Sequence, residues 1–93
     1  MNVLIYWESG KASMDEVMQL FAKQDEAVEQ MPGVKVLRED MTEAGWGVTM
    51  LEAESGAHVD EILQKWSELG EGMLRFAKVS ACESLTERRQ ILH

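Results

Sequence analysis

The chain has 93 residues, 9 Lys and Arg against 17 Asp and Glu, and a net charge of −8. That length allows one domain with a modest core, and 45% hydrophobic with 28% charged residues excludes a disordered chain. The acidity argues against nucleic acid and anionic membrane as partners, and the single cysteine, Cys82, excludes an internal disulfide and a Cys-only zinc site.

The first predicted element is a strand, Asn2–Trp7, almost wholly aliphatic or aromatic and therefore suited to burial on both faces. It is too short for a signal peptide and lacks a basic flank, and no apolar run reaches the ~18 residues of a membrane span. With one cysteine, these features lead us to expect a cytoplasmic protein. Gly10 and Lys11 break the strand. Ser13 and Glu16 then have the spacing of a capping box, which predicts a helix from about Met14 to Gln30. Val17, Phe21, Val28 and Met31 share its apolar stripe, and Gln24 falls in the middle of it. If buried, Gln24 needs a hydrogen-bond partner, and a neighbouring backbone group is the plainest one.

Met31-Pro32-Gly33 is a stop signal. Val34–Met41 mixes apolar and charged residues, as an edge strand does. Thr42 to Gly45 has hairpin length, and Trp46–Glu54 reads as a third strand. Ser55 is the predicted N-cap of a second helix over Gly56–Leu69, whose stripe is Val59, Ile62, Leu63, Trp66 and Leu69. Gly70 and Gly72 end it. A fourth strand is predicted over Met73–Cys82. Ser84 and Glu87 repeat the capping-box spacing, so the tail, residues 83–93, suits a short terminal helix.

The order β-α-β-β-α-β predicts a ferredoxin-like α+β sandwich over residues 1–82, with strands 1 and 3 central in an antiparallel sheet and both helices on one face. The other face is then bare. Leu4 and Tyr6 make it apolar, and an apolar face of that size calls for a cover. The simplest cover is a second copy of the chain about a two-fold axis, so we expect a homodimer.

Trp7 at the end of strand 1, Gly33-Val34 opening strand 2, Trp46-Gly47 opening strand 3, Glu52 near its end and Trp66 in helix 2 form a thin but ordered pattern over residues 2–80. In that pattern the chain resembles a family of short bacterial domains of unknown function. The resemblance implies a dimeric α+β-barrel, ferredoxin-like fold and supplies no activity or catalytic residue. The fold is also similar to that of haem-degrading and quinone-forming monooxygenases, as an analogy of fold alone.

Topology sorts the candidate functional residues to two ends of a sheet whose strands span roughly 23 Å. Trp7, Trp46, Met41 and Met73 belong at one end. They are either packed in the core or a dimer interface, or they line an apolar ligand pocket between sheet and helices, with Gln24 as its polar anchor. Glu52, Glu54 and His58 belong at the other end, near Asp60, Glu61 and Cys82. Such a cluster suits metal binding or acid–base work, but no ligand spacing such as His-Glu-x-x-His is present and acidic residues suit a helix start anyway, so no metal is expected. A Cys82–His58 nucleophilic pair lacks an orienting third member. Gly70-Glu71-Gly72 follows a helix rather than opening one and is no phosphate loop, and Arg88-Arg89 is too short for a basic patch. No cofactor motif is found. The expectation is a homodimeric binding or regulatory module for a small apolar ligand, with a small cofactor-free or haem-linked enzyme as the alternative.

Overall fold

A computed structural model describes residues 1–83 and residue 85. The elements are β1 (Asn2–Glu8), α1 (Met14–Glu29), β2 (Val34–Met41), β3 (Trp46–Ala53), α2 (Gly56–Gly70) and β4 (Arg75–Cys82). All pairings are antiparallel and the strands lie in the order β2-β3-β1-β4. This is the ferredoxin-like α+β fold, with β1 and β3 central as the sequence predicts. The predicted terminal helix lies outside the described residues except for Leu85.

Alternation in β1 divides the molecule. Val3, Ile5 and Trp7 are buried beneath the helices, while Leu4 and Tyr6 point the other way. Across the sheet, Val3 faces Leu51 and Ile5 faces Thr49, so β3 continues the covered face. The helices complete it with Val17, Val28, Ile62 and Trp66. The cover thins at β4: Val79, register partner of Ile5, is 42% exposed while Ile5 is 0% exposed.

The helix boundaries follow from their caps. Ser13 Oγ accepts from Glu16 N and Glu16 Oε1 accepts from Ser13 N, both at 3.2 Å, which satisfies two of the amides a helix start leaves open. Ser55 Oγ likewise accepts from His58 N at 3.4 Å. α2 ends at Glu71, in the left-handed region at φ 49°, followed by Gly72 at φ 85°.

Three details correct the sequence reading. In α1 the fully buried residues are Val17, Leu20, Gln24 and Val28, and Phe21 is half-buried with its ring edge-on to Trp7 at 5.2 Å. Leu69 is 40% exposed instead of completing the α2 stripe. There Gly70 makes the approach to α1, where an added Cβ would lie 3.2 Å from Leu20 Cδ2. β4 begins at Arg75, and Met73 and Leu74 precede it as half-buried residues packed on the core.

The central aromatic depends on a missing side chain. The Trp7 indole lies over Gly47, its partner in β3, and a Cβ at Gly47 would run into the ring and into the Asp40 carbonyl. Trp7 Nε1 donates to Thr49 Oγ1 at 3.0 Å, so the ring is buried with its one polar group satisfied.

Candidate functional site

The sheet separates the residues expected to form an aromatic pocket. Trp7 is 1% exposed on the covered face. Trp46 is paired with Glu8, one step out of phase with the Trp7–Gly47 pair, so it emerges on the open face. There its ring meets Tyr6 at 5.6 Å. Met41 and Met73 are half-buried against the core, on the Trp7 side. Gln24 is 1% exposed, and its backbone carbonyl accepts from Trp66 Nε1 at 3.4 Å. Its side-chain Nε2 has no hydrogen-bond partner among the described residues, contrary to the backbone bond expected for it. Trp7 and Met41 thus pack on the covered face, Gln24 is buried there with one unmatched donor, and Trp46 belongs to a different surface.

The other end of the sheet is also divided. Glu52 is exposed and paired with Asn2 and Lys35 on the open face. Glu54 and His58 converge instead on Gly33, whose φ of 90° and absent side chain leave room for them: a Cβ there would lie 2.9 Å from His58 Nε2 and 3.1 Å from Glu54 Cδ. His58 Nδ1 is 2.6 Å from Ser55 Oγ. These contacts hold the start of α2 against the β2 entry. Cys82 is a half-buried thiol opposite Asn2. Among the described residues no three His, Cys, Asp or Glu side chains are grouped to hold a metal ion.

A site that the sequence reading missed lies between the second half of α1 and β2. An open cleft of about 790 Å³ runs there, with Val28, Met31 and Val36 among its walls. Asp25 and Glu29 border it from α1, and Glu39 borders it from β2. The position of Glu39 depends on a β-bulge. Val36 pairs with Leu51 and Arg38 with Met50, so Leu37 is an extra residue with no partner in β3. The bulge reverses the alternation of β2. Val34 and Val36 face the helices, and strict alternation would send Arg38 and Asp40 after them. Instead Glu39 and Met41 turn inward, opposite Thr49 and Gly47, while Arg38 and Asp40 turn outward and pair at 2.6 Å.

Glu39 is thereby a carboxyl in an apolar setting. Burial, and then repulsion from Asp25, pushes its pKa up to about 7. Its Oε1 is buried with no hydrogen-bond partner among the described residues. Asp25 is itself raised, by partial burial and then by Glu29 one helical turn away. The cleft therefore offers an apolar side at Val28, Met31 and Val36, one unmatched acceptor on Glu39 and negative charge along its helical border. A second cleft near the Glu54 end, about 320 Å³ and lined by Met1, Gly33, Val34, Lys35, Glu52, Ala53 and Glu54, has among the described residues no buried side-chain polar atom lacking a partner.

The chain matches no protein-family model, and no curated protein matches it. Among the described residues no helix is long and apolar enough to cross a membrane.

Proposed function

We propose that this is a homodimeric binding module whose small, largely apolar ligand enters the cleft between α1 and β2. The observation that carries the reading is Glu39, whose carboxylate has a buried oxygen without a partner among the described residues and lines a cleft beside Val28, Met31 and Val36. A buried polar atom without a partner costs about 1–3 kcal/mol, and a bound donor would recover it. The proposed site differs from the expected pocket beside Trp7 in lying on the β2 side, between α1 and β2.

The second copy is assigned to the open sheet face. Leu4 and Trp46 are 38% and 39% exposed there, with Tyr6, Val48 and Met50 half-buried beside them. Arg38, Asp40, Glu8 and Arg75 flank this apolar centre with both signs of charge, which suits a self-complementary two-fold interface. The lone cysteine and the resemblance to the bacterial family with dimeric α+β barrels support a cytoplasmic homodimer. A second reading, a small cofactor-free enzyme, is favoured by the near-neutral carboxyl of Glu39, which would serve as an acid–base group at pH 7.

Two measurements test the proposal. Native mass spectrometry of the purified protein should give twice the chain mass, and Tyr6→Asp should give the monomer because it would bury an unpaired charge in the interface. A dimer that survives Tyr6→Asp would remove the open face as the interface. A screen of small apolar compounds by ¹H–¹⁵N correlation spectra should move the amides of Gly33 to Val36. Shifts confined to residues distant from this cleft would place the ligand elsewhere.

A further inference from the structure

The cleft's chemistry narrows the ligand class, an argument that rests on the binding reading above. We infer that the cleft takes an amphipathic amine, its alkyl body against Val28, Met31 and Val36 and its ammonium group paired with the Glu39 carboxylate. Three features lead there. Val28, Met31, Val34 and Val36 give the cleft an apolar side, which favours a ligand that buries hydrocarbon. The unmatched atom on Glu39 is an acceptor, so the complementary group is a donor. The groups around that acceptor decide the sign of the donor's charge.

Those groups come from each packed element. From α1, Asp25 and Glu29 border the cleft and are acidic. From β3, Thr49 stands opposite Glu39 in the register and carries no charge. No charged residue of α2 lines the cleft. From β2 itself, Lys35 and Arg38 lie along the border, but both turn towards the open face. Lys35 stands opposite Glu52, and Arg38 is held by Asp40 at 2.6 Å. Asp25 and Glu29 at the helical border, with Glu39 turned inward from β2, thus make a field that attracts a cation and repels a carboxylate.

Burial and Asp25 hold a proton on part of the Glu39 population near neutral pH. An ammonium group brought against the carboxylate favours the ionised form, so that proton leaves to solvent on binding. With a pKa of about 7, about half a proton per site should be released at pH 7. A ligand held by apolar contact alone would release none.

The test compares three probes of equal chain length: n-hexylamine, 1-hexanol and hexanoate. Each is titrated into the whole protein at pH 7 while the amides of Gly33 to Val36 are followed. Hexylamine should bind about tenfold more tightly than hexanol, as a charge-assisted hydrogen bond in a half-buried site allows, and hexanoate should bind most weakly. Glu39→Gln, which keeps the shape and removes the charge, should abolish the amine preference, so that hexylamine binds no more tightly than hexanol. Calorimetry of hexylamine binding in phosphate and in Tris should read the proton release in the wild type and none in Glu39→Gln. Equal affinities for hexylamine and hexanol, or an amine preference that persists in Glu39→Gln, would overturn the amine assignment while the binding cleft stands. If none of the three probes moves these amides, the cleft reading falls and the amine assignment with it.

Discussion

Trp7 and Trp46 lie on neighbouring strands, one register step apart, and have opposite fates. Trp7 is enclosed by helices, seated on Gly47 and hydrogen-bonded to Thr49; Trp46 lies on the open face with Tyr6 for company. The residue type is the same, so the environment separates their roles. On the covered face, apolar atoms are matched at close range and the aromatic holds the fold together. On the open face the same ring stabilises the single chain little and remains available to a partner. Reading function from a tryptophan therefore requires the face it occupies as well as its place along the strand.

The sharpest way to break that contrast is to remove the covered ring. Trp7→Ala should cost about 3–5 kcal/mol, since the cavity between Phe21, Gly47 and Thr49 has little means to collapse and Thr49 loses its donor. Urea unfolding followed by circular dichroism would measure it. A loss under ~1 kcal/mol would mean that the covered face is not the centre of stability described above.

The next effect falls on β2, where the covered face is least complete. The Glu39 carboxyl titrates at a higher pH when folded than when unfolded, so its penalty is absent below pH ~4.5 and grows as pH rises through about 7. Glu39→Gln removes the ionisation. It should leave stability nearly unchanged at pH 4.5 and raise it at pH 8 by about 1–2 kcal/mol, a value discounted for the group's partial exposure. Denaturant midpoints at the two pH values would show the difference. Equal changes at both would mean that Glu39 is as well solvated in the fold as in the unfolded chain.

These two residues also mark how far the sequence could be read. The elements were legible because their ends carry local chemistry: the Ser13–Glu16 box, Pro32-Gly33 and the Ser55 cap each act within a few residues. The sides of the sheet were legible for β1, where alternation is unbroken. They were not legible at Trp46, because its face depends on a cross-strand register that shifts every side chain if it slips by one residue. Nor were they legible at Glu39. A bulge at Leu37 reverses the face of all that follows, and no turn residue announces it. The nearest signal was a failed alternation, since continuing from Val36 would have put Arg38 and Asp40 in the core. Gln24 shows a different limit. Its burial followed from the helical period, but whether its amide found a partner depended on packing across three elements.

The smallest effect on the isolated chain should come from the exposed ring. Trp46→Ala removes a 39% exposed side chain whose one described ring contact is with Tyr6, and it leaves the covered core intact. At high dilution it should change stability by no more than about 0.5 kcal/mol. Concentration adds a second readout. If a second copy covers the open face, the wild-type Tm must rise with protein concentration, because association draws on the folded chain alone. In Trp46→Ala that rise should shrink while the dilute limit stays near the wild-type value. A variant with lower Tm but undiminished concentration dependence would show that Trp46 supports its own chain and not an interface, and the contrast between the two tryptophans would reduce to a difference in burial.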